Sequence, residues 1–397
     1  MASQTDTPPR GRANQSARDA AEILVARLLP RDLDLPSGEA RLRLAVEGGD
    51  AVDVLLDGGG GRLAEPDGRP DALLSADPAT WEQVVRDLPA GISAFGRGRL
   101  QIRQNLHLGV NFLAATSGSR EPGRLRFETI ETNGGAISTL QAGVGKPLLM
   151  LHGLGGTKAS FLPTVASLAP QGRRVIAADL PGFGDSAKPI AARYDPKFFS
   201  RSVLSLMDAL EIARADIVGH SLGGRVTLEA LMHARDRFDK AILMTPSLAW
   251  LRERPWAPWL KLVRPELGLI QPAPRPVVEK IVKRLIAGGE SRYAAAGIDE
   301  FLRSYLTPRG RAAFYAAARN IYLEKPERFW ERLRELEPPA LFIWGRKDPR
   351  VPAAFERHVR EAVPQAKHVT LNTGHIPQVE RPAELHREIS RFLGDPG

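Results

Sequence analysis

From about residue 124 onward the chain repeats one arrangement: a short, unbroken apolar run followed by a longer amphipathic stretch. PLLMLHG, RVIAADLPG, ADIVGHS, AILMTPS, ALFIWG and KHVTLN are runs of the first kind, continuous rather than alternating, as strands buried on both faces require. FFSRSVLSLMDALEI, LGGRVTLEALMHA, AAFERHVREAV and PAELHREISRFL carry apolar residues at helical spacing and separate most of those runs. A strand apolar on both faces needs helices over each face, so the rhythm predicts an α/β fold with a doubly wound, mostly parallel sheet. FETIETN and AISTLQA, divided at Asn133-Gly134-Gly135, read as an opening hairpin. Between AILMTPS and ALFIWG the rhythm is broken by roughly ninety residues, too many for a loop in a compact sheet. That interval, about 248–338, reads as an inserted helical subdomain with helix-like VVEKIVKRLIAG and GRAAFYAAARNIYL and with Trp250, Trp256 and Trp259.

The first third of the chain is ordered differently. Ser16-Ala17-Arg18-Asp19 reads as a capping box opening a helix, with Ala20, Ile23, Leu24 and Leu28 on one face and Pro30 ending it. RLRLAV and VDVLL alternate like half-buried strands, and the Gly58–Gly61 run reads as a turn. DALLSADPATWEQVVRDL reads as strand, turn and helix, and AFGRGRLQIRQNLHLGVNFL as a strand followed by a second helix. Together they predict a compact α+β module over 17–118, between a disordered N-terminus, 1–16, and a linker, 119–123. The S-x-D-P-x-x-W from Ser75 to Trp81 and the A-F-x-x-G-R-L-Q-I-R-x-N-L from Ala94 to Leu106 resemble the sterol-carrier-protein-2 (SCP2) domain over nearly all of this module. The resemblance implies an apolar tunnel for a lipid tail, or the same scaffold kept for docking or dimerisation. Gln104 stands where a glycine is common in that family.

A chain of 397 residues exceeds what one core usually serves, in keeping with two domains. No apolar run reaches the roughly eighteen residues needed to span a bilayer. Arg18, Asp19, Glu22 and Arg27 interrupt the place where a secretory signal would need an apolar core, so the expected location is cytoplasmic. The absence of cysteine excludes disulfides, thiolate metal sites and cysteine nucleophiles. Of the net charge of +9, residues beyond 120 contribute +11 and the first 120 contribute −2. Those basic residues are scattered and lack aromatic interleaving, which argues against nucleic acid and reads as solvated surface, compatible with peripheral contact at an anionic membrane.

Gly219-His220-Ser221-Leu222-Gly223 is the only G-x-S-x-G in the chain, and it lies where the strand ADIV meets the helix LGGRVTLEALMHA. A strand-to-helix turn that tight strains the serine and needs small neighbours, and it lifts Oγ above the sheet as a nucleophile. A base should come from a later loop. His375, in Gly374-His375 behind the last strand, is so placed, whereas His233, His358 and His386 lie in helical patterns, His368 opens a strand and His220 packs the elbow. Asp348 is the only acid in the loop behind ALFIWG and would fix the imidazole tautomer; Asp179 and Asp185 precede the serine and suit that role less. The order is then Ser221, Asp348, His375. Oxyanion donors are expected at the Leu154 and Leu222 N–H groups, the first in the turn His152-Gly153-Leu154-Gly155-Gly156, which lacks the G-K-[ST] of a phosphate loop.

HGLGG, DLPGFGDS, GHSLGG, GRKDPRVP and GHIPQVERP, in that order, resemble the α/β-hydrolase superfamily over residues 124–395, with the 248–338 insertion at the position of that family's lid. The resemblance implies a serine hydrolase, carboxylesterase- or lipase-like, acting on lipid-like or other small-molecule esters or thioesters with apolar acyl groups, without cofactor or metal. C–C bond hydrolysis on the same triad, or a lipid-binding or receptor role for the same fold, are the other readings.

Overall fold

The computed structural model describes residues 16–35, 37–86, 94–95, 98–117, 123–248, 262, 264–285, 292–321 and 326–394. Residues 1–15 of the expected disordered N-terminus, the 119–122 part of the expected linker and the three tryptophans at 250, 256 and 259 lie outside the described residues, while Ser16, the last residue of that N-terminus, is ordered as a helix cap. The chain forms two compact units, Met1–Arg103 with Leu108–Gly118, and Gln104–His107 with Ser119–Gly397.

In the first unit α1 (Ala17–Ala26) opens with the capping box: Asp19 N–H donates to Ser16 Oγ at 3.0 Å, and the Asp19 carboxylate accepts from Ser16 N–H. Its buried face is Ala17, Ala20, Ala21 and Leu24; Ile23 is only half-buried. The helix stops at Ala26, short of Pro30, which begins a separate 3₁₀ turn. β1 (Glu39–Val46), β2 (Ala51–Asp57), β3 (Gly60–Ala64), β4 (Ala72–Ala76) and β5 (Leu100–Arg103) form one sheet in the order β3-β2-β1-β4-β5, antiparallel except for β1 with β4. The glycine run expected as a turn therefore also starts a strand, because pairing with β2 overrides its weak β propensity. α2 (Pro78–Arg86) carries Trp81, fully buried, with its indole N–H on the Ala45 carbonyl at 2.9 Å. α3 (Leu106–Ala115) follows β5 through Gln104, whose φ of 72° is the left-handed conformation that glycine adopts most readily.

The second unit is built on eight strands: β6 (Arg126–Ile130), β7 (Ile137–Ala142), β8 (Lys146–Leu151), β9 (Arg173–Ala178), β10 (Ala215–His220), β11 (Phe238–Met244), β12 (Ala340–Gly345) and β13 (Lys367–Leu371). Their order is β13-β12-β11-β10-β8-β9-β7-β6; the β6–β7 hairpin and the β7–β9 pair are antiparallel and the rest parallel. α4 (Leu162–Leu168) lies between β8 and β9, a seven-residue helix flanked by 3₁₀ turns and too short to leave a periodic signal. α5 (Pro196–Ala209) and α6 (Leu222–His233) precede and follow β10. The insertion supplies α7 (Leu267–Ile270), α8 (Arg275–Leu285), α9 (Arg292–Tyr305), α10 (Pro308–Asn320) and α11 (Pro326–Arg334). α12 (Phe355–Ala362), α13 (Pro377–Glu380) and α14 (Pro382–Leu393) complete the unit. No helix among the described residues is long and apolar enough to cross a membrane.

The chain leaves β8 toward β9 and returns to β10 on the other side of β8, so the connections diverge at the carboxyl ends of β8 and β10. An open α/β sheet offers its binding crevice at such a divergence. β10 lies at the centre with every residue buried. Ile217→Ala in β10 should destabilise the fold by about 2–5 kcal/mol, whereas Val144→Ala, at an exposed position, should stay within about 0.5 kcal/mol, both read from urea unfolding.

Candidate active site

Ser221 ends β10 and caps α6 with φ 52° and ψ −112°. The glycines around it are obligatory for a local reason. A Cβ on Gly219 would run into the Gly223 carbonyl and Thr227 Oγ1, one on Gly223 into the Leu151 carbonyl, and one on Gly224 would sit 2.8 Å from Pro246 Cβ. The close approach of strand, helix and neighbouring loops is what holds the serine backbone in its strained conformation.

The structure brings Ser221, His375 and Asp348 together. His375 Nε2 lies 2.9 Å from Ser221 Oγ and its Nδ1 2.7 Å from Asp348 Oδ2. The second Asp348 oxygen accepts the N–H groups of Arg350 at 2.7 Å and Val351 at 3.1 Å. Burial alone would raise the Asp348 carboxyl, but the hydrogen bond and charge of His375, with those two N–H donors, hold it below its ordinary value. An ionised Asp348 accepts only, so His375 Nδ1 carries the proton, Nε2 is the free acceptor, and the Ser221 hydroxyl donates to it.

The backbone of His375 is itself fixed. Its carbonyl accepts from His220 Nε2 at 2.8 Å and from Thr245 Oγ1 at 3.0 Å. On either side, Gly374 N–H donates to Glu380 Oε2 at 2.6 Å and Ile376 N–H to Glu380 Oε1 at 3.0 Å. Burial, then the nearby His375, push the His220 imidazole down to about 3, so it remains a neutral donor. Packing at the elbow, as expected for His220, is thus joined by a specific hydrogen bond. Thr245 and Glu380 were not singled out in the sequence; an acid five residues after the histidine was the only signal available for Glu380.

The turn behind β8 is clamped by His152. Its Nδ1–H donates to the Gly153 carbonyl at 2.8 Å, and its Nε2 accepts Leu180 N–H at 2.9 Å. Gly153 leaves room for the elbow: a Cβ there would lie 3.1 Å from Ser221 Cβ. Leu222 N–H opens α6, where helix N–H groups lack intrahelical acceptors, and neither it nor Leu154 N–H is spent on another acceptor among the described residues. Gly155, at φ 74°, faces the insertion, since a Cβ there would meet Phe301 at 2.6 Å and Phe314 at 3.2 Å.

Asp179 and Asp185 belong to a separate buried network. Lys158 Nζ reaches Asp179 Oδ2 at 2.7 Å and Asp185 Oδ2 at 3.1 Å, while Arg303 on α9 pairs with Asp185 and, at 2.9 Å, with Glu300. His386 sits against Thr164 Oγ1 and His368 accepts the Trp344 indole N–H, neither at the serine. Among the described residues no group of three or more His, Asp or Glu side chains could hold a metal ion.

Comparison with known proteins places this geometry. A family model described as alpha/beta hydrolase fold matches residues 146–382. The chain is 33% identical over 254 residues to the dihydrolipoyllysine-residue acetyltransferase component of the acetoin cleaving system of Pseudomonas putida, covering 63% of this chain and 64% of that one. It is 28% identical over 265 residues to the 2-hydroxymuconate semialdehyde hydrolase of Pseudomonas sp. (strain CF600), covering 64% of this chain and 89% of that one. The crystal structure of the enol-lactonase from Burkholderia xenovorans LB400 superposes with a TM-score of 0.57 at 21% identity, over 68% of this chain and 100% of that one.

Burial lowers five of the eight histidines: His107 and His220 to about 3, His368 and His386 to about 4, and His152 in the same direction. Folded values below the unfolded value of about 6.5 mean that the unfolded chain binds more protons in that interval. Their stabilising contribution is complete above about pH 6.5 and is lost as pH falls through the folded values. The urea midpoint should therefore fall steadily from pH 7 to pH 4, and His386→Asn should flatten the slope. A midpoint constant from pH 7 to pH 5 would contradict the burial of these imidazoles in neutral form.

Proposed function

The chain belongs to the α/β-hydrolase fold family, and from there we propose that it is a serine hydrolase cleaving carboxylic esters or thioesters with apolar acyl groups. The observation that carries this reading is the unbroken hydrogen-bond chain Asp348–His375–Ser221. Ser221 Oγ attacks the carbonyl carbon and its proton passes to His375 Nε2, while Asp348 balances the imidazolium. The Leu154 and Leu222 N–H groups take the oxyanion, His375 returns the proton to the leaving group, and water repeats the cycle on the acyl-enzyme. Phe301 and Phe314, packed at the Gly155 turn beside Leu154, support an apolar acyl group. Alanine at 221 keeps the elbow and removes only Oγ, so Ser221→Ala should lower turnover on the order of 10⁴-fold or more and abolish fluorophosphonate labelling. Hydrolysis by that variant at the wild-type rate would assign the nucleophile elsewhere.

A second reading, C–C bond hydrolysis on the same triad, is favoured by the similarity to the 2-hydroxymuconate semialdehyde hydrolase. Ester cleavage ranks first because it asks for nothing beyond the triad and two N–H donors, whereas C–C cleavage also needs a proton delivered to a leaving carbon. A panel setting esters of graded chain length against a vinylogous diketone separates the two.

For residues 17–118 the proposal is an SCP2-like lipid-binding domain, joined at 119–123 to a hydrolase domain, 124–397, whose lid is about 248–338. The sheet and helices of the first unit, and the left-handed turn at the glycine-prone position 104, support that reading. The cysteine-free composition fits a reducing, cytoplasmic setting. A fluorescent long-chain fatty acid should bind the full chain and, at saturation, leave hydrolysis of an acetate ester unchanged. Competition with the acetate ester would place the fatty acid in the hydrolase site instead.

A further inference from the structure

The Ser221 oxygen has a second neighbour. Ser247, in the loop that leaves β11, places its Oγ 3.3 Å from Ser221 Oγ, and its backbone N–H donates to the Ser221 carbonyl at 2.9 Å. Ser221 N–H in turn donates to the Met244 carbonyl at 3.0 Å, and Thr245 of the same loop, at φ 40°, holds the His375 carbonyl. The β11 loop therefore touches both the serine and the histidine of the triad, and one of its side chains faces the reacting atom itself.

The direction of the Ser221–Ser247 hydrogen bond follows from the rest of the chain. Asp348 accepts from His375 Nδ1, leaving Nε2 to accept from the Ser221 hydroxyl. That hydroxyl has one proton and has spent it, so toward Ser247 it can only accept. Ser247 must be the donor.

Resting on the reading of Ser221 as nucleophile, we propose that Ser247 is a further catalytic residue: its hydroxyl donates to Ser221 Oγ and stabilises the negative charge that builds there during acylation and deacylation. In acylation the Oγ–H bond breaks, its proton moves to His375 Nε2 and on to the leaving group, and an Oγ–C bond forms as the bond from the carbonyl carbon to the leaving group breaks; in deacylation water adds to the acyl carbon and gives a proton to His375 Nε2, which passes it to Oγ as the Oγ–C bond breaks. Ser247 keeps its own proton throughout. At 3.3 Å the resting bond is longer than the usual O–H···O spacing of about 2.8 Å, so it contributes little to the ground state. As charge develops on Oγ the bond shortens and strengthens, and an interaction stronger in the transition state than in the ground state raises kcat.

Ser247→Ala removes the donor and retains the backbone N–H to Ser221. On an acetate ester it should lower kcat and kcat/KM together by about tenfold or more with KM unchanged, and slow fluorophosphonate inactivation by the same factor. Ser247→Thr, which restores a hydroxyl, should recover most of the rate, and the melting temperature of both variants should match the wild type. A wild-type inactivation rate in Ser247→Ala overturns the assignment, as does a loss confined to KM or a loss that threonine fails to recover. Ser221→Ala run alongside separates the two levels: continued labelling of that variant defeats the nucleophile reading, whereas its silence beside normal labelling of Ser247→Ala defeats only the role of Ser247.

Discussion

The backbone of Ser221 occupies φ 52° and ψ −112°, a conformation costly for an L residue with a side chain, and the remainder of the site is arranged around keeping it there. Glycines at 219, 223 and 224 let β10, α6 and the loops behind β8 and β11 approach to distances that no Cβ would allow. Backbone hydrogen bonds then close the position from outside the elbow: Ser221 N–H to Met244, Ser247 N–H to the Ser221 carbonyl, and Gly223 N–H to His152. Strain of this kind persists only where surrounding structure over-determines it, and here the end of β11 with its loop and the loop behind β8 do so.

The proposed base is fixed by a different device. Its ring is oriented by Asp348, while its peptide carbonyl is held by two donors, His220 and Thr245, and the N–H groups flanking it by one carboxylate, Glu380. The two donors to the carbonyl are uncharged, so they restrain the loop without placing a full charge beside an imidazole that must alternate between neutral and cationic forms. Preorganisation of this sort confines the ring to the geometry in which Nε2 faces Oγ, and the energy for it is supplied by folding rather than by substrate.

The eight-stranded sheet was legible in the sequence because its inner parallel strands are apolar on both faces and so read as unbroken runs such as ADIVGH and ALFIWG, whereas β13, expected to be buried on both faces, is an edge strand that is only partly covered. Ser221, His375 and Asp348 were legible because each follows a strand end, where chain order and loop position suffice to nominate them. What escaped is long-range by nature. Ser247, Thr245 and Glu380 are ordinary loop and helix residues until the fold sets them beside the triad, and β3 is a strand only because β2 pairs with it. α9, with RYAAAGIDEFLRSY, buries Asp299 and Glu300 beside Ala296, Ile298 and Leu302, so charged residues widen the buried face beyond the apolar stripe by which an amphipathic helix is usually recognised.

That inward charge bears on how interchangeable the inserted segment is. Arg303 of α9 forks onto Asp185, which lies almost entirely out of solvent in the loop after β9, together with Lys158. An insertion without a cation at this position would leave Asp185 with Lys158 alone, a cation that it shares with Asp179. A segment fitted to this scaffold therefore has to answer to a buried carboxylate as well as to a substrate. The ion pair acts as a compatibility lock between scaffold and insertion.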